Sequence, residues 1–253
     1  MERISFKNSR NKTLIGNLYH SASQAIIIMV HGFTSDKFSK GRFQILAEAF
    51  NQAGIAVLTF DLSGCGESDD DSLTVDKEVD DLNSAIGFVL SRGYQKIALY
   101  GHSLGSLICL KSWTPIIVTM VLSGALTDAM TYQWDEYFSR EQMKELKERG
   151  YITIERVNSL RTTVIVYKQM LKDFEEINQK QLLEQVHCPV LIIHGNAIND
   201  KEECLLLQKS KKGMKYLPKG SELEVIDGAD HRFLEHLDTL KELAKNWYIK
   251  HIF

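Results

Sequence analysis

The sequence predicts an α/β fold: a mostly parallel sheet with helices on both faces, interrupted once by an insertion. Three observations lead there. Six short runs, at residues 25–30, 55–60, 96–100, 116–122, 190–193 and 223–226, are almost continuously apolar, as strands covered on both faces must be. Segments with helical spacing separate most of them, the βα alternation that builds parallel sheets. Residues 125–187 break this rhythm and hold mixed elements, which marks an insertion on the sheet rather than another βα unit.

Taken in order, residues 3–7 and 14–20 read as a hairpin joined by the polar turn 8–12, an antiparallel edge to the sheet. Phe43, Leu46, Ala47 and Phe50 recur at helical spacing, as do Val75, Val79, Leu82, Ala85, Ile86 and Val89. The second of these helices opens with Asp76, Glu78, Asp80 and Asp81, acids that the helix dipole favours near an N-terminus. A third spans 104–113 and stops before Pro115. Helices at 203–217 and 233–249 complete the core, which is expected to comprise 1–124 and 188–253. The insertion itself reads as a charged helix at 134–149, a two-stranded piece at 151–155 and 162–167 and a helix at 169–185.

Composition excludes several classes. The 253 residues carry 30 basic and 33 acidic side chains, a net charge of −3, without the basic excess that sequence-independent nucleic-acid binding requires. With 44% hydrophobic and 25% charged residues, the chain is ordinary for a globular protein and unlike a disordered one. No apolar stretch approaches the roughly 18 residues of a membrane span, and the start lacks a signal-peptide core. Cys65, Cys109, Cys188 and Cys204 stand far apart with no Cys-x-x-Cys pair, as expected of reduced, buried thiols in a cytoplasmic protein without a structural metal.

The sharpest local signal is Gly101-His102-Ser103-Leu104-Gly105, between the strand at 96–100 and the helix at 104–113. Such a G-x-S-x-G in a strand–turn–helix context is a nucleophile elbow: the turn is too tight for side chains at 101 and 105, and Ser103 is held in strained geometry above the strand ends. A serine nucleophile needs a base, and in this arrangement the chain order is serine, acid, histidine. His231 follows the last strand through Asp227-Gly228-Ala229-Asp230, on the same edge as Ser103. His187 precedes a strand and belongs at the opposite edge, His236 reads as surface, and His102 should point away from its neighbour. Asp200 is the first carboxylate after the strand at 190–193 and is the expected acid; Glu202 and Glu203 follow but fall at the start of the next helix. Asp200 would equally suit as that helix's N-cap, and the two roles are compatible. Backbone N–H groups of Leu104 and of Phe33, in His31-Gly32-Phe33-Thr34, are the expected oxyanion hole.

Two other motifs carry no chemistry on this reading. Gly64-Cys65-Gly66-Glu67-Ser68-Asp69 lacks the third glycine of a dinucleotide loop, and its acids would repel a pyrophosphate. The basic cluster at 209–212 reads as solvated surface.

Together, His31-Gly32-Phe33-Thr34, the loop from Asp61 to Ser68, Gly101 to Gly105, Pro189 to Gly195 and Gly228-Ala229-Asp230-His231 resemble the α/β-hydrolase superfamily over nearly the whole chain. Within it, the closest resemblance is to small bacterial serine carboxylesterases of the cinnamoyl and feruloyl esterase type. The resemblance implies ester hydrolysis through a serine–histidine–acid triad, with no cofactor and a small-molecule ester as substrate, and a cap subdomain formed over the active site by the 125–187 insertion. The chain departs from the pattern at the acid: such esterases carry it in His-Gly-x-x-Asp, where this chain has Ile198. Tyr132, Trp134, Tyr137, Phe138, Tyr151 and Tyr167 could line an acyl or aromatic pocket, although any one of them more readily packs the insertion onto the sheet. A thioesterase, a monoacylglycerol lipase, a lyase or C–C hydrolase with the same triad, and a non-catalytic ligand-binding homologue are the competing readings. Edge strands and the cap both offer surfaces for a homodimer.

Overall fold

The computed structural model describes residues 1–156 and 161–253. An eight-stranded sheet is built from β1 (Glu2–Lys7), β2 (Thr13–Tyr19), β3 (Ala25–Val30), β4 (Ala56–Phe60), β5 (Lys96–His102), β6 (Ile117–Ser123), β9 (Val190–Gly195) and β10 (Glu222–Ile226). Its order is β1-β2-β4-β3-β5-β6-β9-β10. The β1–β2 hairpin is antiparallel and joins β4 antiparallel, while the other pairings are parallel. This is the predicted α/β-hydrolase sheet with its hairpin at one edge.

Both faces of the sheet are covered, and β3 shows why its sequence does not alternate. Ile26, Ile28 and Val30 enter one hydrophobic cluster, whereas Ala25, Ile27 and Met29 enter the other, the period-2 division of a strand buried on both sides. Helices α2 (Val75–Ser91) and α3 (Leu104–Lys111) cover the first face, with α8 (Lys201–Gly213) following β9. Helices α1 (Arg42–Gln52) and α9 (Leu237–Ile252) cover the second, where Phe43, Phe50, Tyr100 and Tyr248 meet edge to face or tilted. No helix among the described residues is long and apolar enough to cross a membrane. All four cysteines are free; Cys204 is only partly buried.

The insertion between β6 and β9 holds α4 (Trp134–Tyr137), α5 (Arg140–Arg149), the antiparallel pair β7 (Tyr151–Glu155) and β8 (Thr163–Tyr167), α6 (Lys168–Glu175) and α7 (Gln179–Glu184). Each of its two predicted helices is divided. Ser139 opens α5 with a capping box, its hydroxyl accepting from Gln142 N–H while the Gln142 side chain accepts from Ser139 N–H, so the chain restarts a helix there rather than continuing α4. Asn178 N-caps α7, its side-chain oxygen accepting from Gln181 N–H. At the C-terminus, the last helix begins at Leu237 rather than 233, because Asp230 accepts from the N–H groups of Arg232 and Phe233 and Phe233 takes a left-handed φ of 55°.

Candidate active site

Ser103 stands at the junction of β5 and α3 with φ 56° and ψ −124°, a conformation costing about 1–3 kcal/mol for a non-glycine residue. The crowding that fixes it is explicit. A Cβ on Gly101 would lie 2.6 Å from the Gly105 carbonyl oxygen, and one on Gly105 would lie 2.2 Å from that of Val30. Ser106 buttresses the turn, its hydroxyl donating to the Ser103 carbonyl at 2.6 Å and accepting from Leu126 N–H at 2.7 Å. The Leu104 N–H lies in the first turn of α3, where a helix supplies no acceptor of its own.

The loop after β3 reaches the same spot. A Cβ on Gly32 would come 3.2 Å from that of Ser103, so Phe33 begins beside the serine. Two buried anchors hold this loop. His31 accepts from Leu62 N–H through Nε2 at 3.2 Å and therefore donates from Nδ1 to the Gly32 carbonyl at 2.9 Å; burial keeps this imidazole neutral, its pKa below the ordinary value. Lys37, itself 2% exposed, places its ammonium 2.6 Å from Asp61 and 2.6 Å from Glu67. Asp61 also accepts from the backbone N–H of Lys37 and of Glu67. The Asp61–Ser68 motif is thus the clamp of the loop after β3, and its acids Asp61 and Glu67 are occupied by Lys37.

His231 approaches from the other side, on the loop between β10 and α9, and lines a cavity of about 170 Å³ together with Ser103, Gly32 and Phe33. Its Nδ1–H donates to Glu203 Oε2 at 2.6 Å. Asp200 does not take this role: Oδ1 accepts from Glu203 N–H at 3.0 Å as the N-cap of α8, and Oδ2 accepts from the backbone N–H of His231 at 2.8 Å. Asp200 thus fixes the backbones of both partners, and the carboxylate that meets the imidazole is Glu203, in the first turn of α8.

Glu203 is fully buried, and its second oxygen accepts from Gly195 N–H at 2.9 Å and from His194 Nδ1–H at 2.7 Å. Burial alone would raise its pKa, but the hydrogen bonds from His194 and His231 win and pull it down to about 2. His194 in turn meets Ser210 Oγ at 2.9 Å. Burial opposes charge on His231, yet the hydrogen bond and charge of Glu203 raise its pKa above 6.5. His194 and Glu203 are the members that sequence reasoning missed. The one local signal is a histidine at a buried strand end; for Glu203, in the first turn of the next helix, periodicity alone does not say which side chain reaches the imidazole.

His102 cannot compete as a base. Its Nε2 accepts from Arg42 Nη1 at 3.2 Å, which assigns the ring proton to Nδ1, 3.0 Å from Ser123 Oγ. Burial and the Arg42 charge hold its pKa well below 6.5. The rest of the cavity lining is Ser35, Lys40, Arg42, Arg232 and Leu234. None of the six aromatic residues considered from the insertion lines it. Tyr132, Trp134 and Phe138 instead pack on one another and on Phe174, which meets Phe33 edge on at 5.6 Å. Tyr151 and Tyr167 pair across β7 and β8, and Tyr137 is half exposed against Tyr132.

Known proteins resemble the chain along its length. An Escherichia coli protein described as an uncharacterized 31.7 kDa protein in the traX-finO intergenic region is 23% identical over 94% of this chain and 93% of its own. Among solved structures, Est1E from Butyrivibrio proteoclasticus with ferulic acid bound superposes with a TM-score of 0.78 at 19% identity, covering 98% of this chain and 99% of that one. A Paleococcus ferrophilus monoacylglycerol lipase superposes with a TM-score of 0.73 at 18% identity over 99% and 100%. At such identities these two structures speak for the fold. Residues 21–238 match the family described as serine aminopeptidase, S33, and the chain belongs to this family of α/β-hydrolases.

Proposed function

We propose that the protein is a serine hydrolase of carboxylic esters, with Ser103 as nucleophile, His231 as general base and Glu203 as the acid. The observation that carries this reading is the 2.6 Å bond from His231 Nδ1 to the buried Glu203 carboxylate, on a ring that shares one cavity with a strained serine. Because Nδ1 carries the proton, Nε2 is free to take that of Ser103 Oγ as it attacks the ester carbonyl. The Phe33 and Leu104 N–H groups would receive the oxyanion. The imidazolium then protonates the leaving alcohol, and water, deprotonated by the same nitrogen, releases the acid. Each step draws on side chains and backbone amides alone.

The small cavity favours a short acyl chain or a small aromatic acid, and the insertion would act as a cap bordering the oxyanion loop through Phe174 and Phe33. A non-catalytic homologue has no use for a strained serine beside a polarised imidazole. The test is hydrolysis of a p-nitrophenyl ester series and methyl ferulate by wild-type and Ser103→Ala protein, with an acyl thioester and an aminoacyl p-nitroanilide alongside. Ester turnover that disappears in the folded variant is expected. Turnover of the thioester or anilide alone would reassign the substrate, and ester turnover that survives Ser103→Ala would overturn the nucleophile.

A further inference from the structure

The cavity that holds Ser103 and His231 is walled in part by three cations, Lys40, Arg42 and Arg232, and by no acidic side chain among the described residues. Arg232 is already matched, its Nε and Nη2 each 3.1 Å from Asp230. Lys40 makes no ion pair among the described residues, and Arg42 is 92% buried with neutral acceptors only: the Ser39 carbonyl and hydroxyl, the Arg232 carbonyl and His102 Nε2. Four of the five guanidinium N–H groups are thereby used, which leaves one on Nη2.

A guanidinium buried without a carboxylate is unfavourable unless something in the neighbourhood compensates it. The backbone around it is also held in an uncommon form, since Ser39, Lys40 and Gly41 take left-handed φ values of 46°, 56° and 88° in succession. Such strain persists where the surroundings enforce it, and clusters at ligand clamps.

We propose that this wall selects anionic esters: substrates bearing a carboxylate a few atoms from the scissile carbonyl, held between Lys40 and Arg42 while Ser103 attacks. The inference rests on the ester-hydrolase reading above and names its substrate class. A carboxylate there would complete the charge balance of Arg42 and supply an acceptor for its remaining N–H, a charge-assisted bond in a partly desolvated site.

Two matched pairs test this and separate the side of the ester that carries the charge. Mono-p-nitrophenyl glutarate against p-nitrophenyl valerate places the carboxylate on the acyl part; 3-acetoxybenzoate against phenyl acetate places it on the alcohol. At least one anionic ester is expected to exceed its neutral partner in kcat/KM by about tenfold or more. That ratio should shrink with added salt and fall at least about tenfold in Lys40→Glu. Arg42→Lys, checked for a retained melting transition, should lower the ratio less than Lys40→Glu. Calorimetric binding of glutarate, against glutaramide, to Ser103→Ala protein reads the same wall without turnover. Ester hydrolysis with no preference for charge overturns this inference and leaves the hydrolase reading standing. Selective glutarate binding without ester turnover keeps the carboxylate site but overturns both the ester-hydrolase reading and the selection of esters, and the absence of both overturns everything.

Discussion

Replacing Glu203 by Gln separates the two carboxylates that surround His231. Glu203 receives three hydrogen bonds: Gly195 N–H and His194 Nδ1–H converge on Oε1, and His231 Nδ1–H reaches Oε2. A glutamine retains one acceptor oxygen, best placed where the two donors converge, and presents an NH₂ donor to His231. Nδ1 must then accept, the ring proton moves to Nε2, and the nitrogen facing Ser103 can no longer take a proton. The equivalent tautomer reversal in a Ser-His-Asp triad lowers kcat by about 10⁴, equivalent to about 5.4 kcal/mol of transition-state stabilisation. Asp200→Asn is milder, because both Asp200 bonds are to backbone N–H groups and an acceptor oxygen survives. Loss of a cap costs about 1 kcal/mol, or about fivefold in rate even if all of it reached the transition state. The assay is kcat on p-nitrophenyl acetate for both variants, with melting temperatures to show that each is folded. Equal losses in the two, or a Glu203→Gln enzyme retaining more than about a tenth of the wild-type rate, would refute the reasoning.

Three further outcomes are expected. His231 must be neutral to act and its pKa is raised above 6.5 by Glu203, so the acid limb of kcat/KM should lie above pH 6.5 and move to lower pH in any Glu203→Gln activity that remains; a wild-type limb below 6.5 contradicts this. Lys37→Met leaves the buried Asp61 carboxylate without its cation and should cost about 3–5 kcal/mol in chemical denaturation, whereas a loss under about 1 kcal/mol would make the pair a surface-like one. Gly105→Ala drives a Cβ to 2.2 Å from the Val30 carbonyl oxygen. A markedly lowered melting temperature is therefore expected, and a variant as stable and active as wild type would show that the elbow is not sterically fixed.

The sheet was legible because its strands are buried on both faces, and a run such as Ala25–Val30 declares this in its composition. The elbow was legible because steric exclusion at positions 101 and 105 leaves a glycine signature. Both signals are local. The acid is a tertiary fact: nothing near Glu203 in sequence states that its side chain passes beneath the loop of His231, 28 residues on. The divided helices of the insertion failed for another reason. Ser139 and Asn178 are N-cap residues lying inside otherwise helical patterns, and hydrophobic periodicity does not register a restart. The cationic lining escaped because Arg232 joins Lys40 and Arg42 only in the fold, where the Arg42 guanidinium donates to the Arg232 carbonyl.

The displaced acid follows from how the loop after β9 is held. Asn196 bonds Asp227 and accepts from Gly228 N–H, and the N–H of Ala197 donates to the Ala229 carbonyl, so the loop is stitched to the one that carries His231. The turn closed by Asp200 N–H on the Ala197 carbonyl then throws Ile198, where similar esterases carry their acid, into solvent at 94% exposure. A carboxylate at 198 would point away from the imidazole. Helix α8 starts at once, capped by Asp200, and its inward first turn brings position 203 beneath the ring. From a helix start the longer reach of glutamate is an advantage, but a long side chain has more rotamers to lose. His194 and the Gly195 N–H remove that freedom by holding Oε1, which leaves Oε2 fixed on His231. On the proposed reading Glu203 and the buried histidine beside it therefore act as one unit, in which the strand end supplies the constraint that a shorter aspartate on a loop would not need.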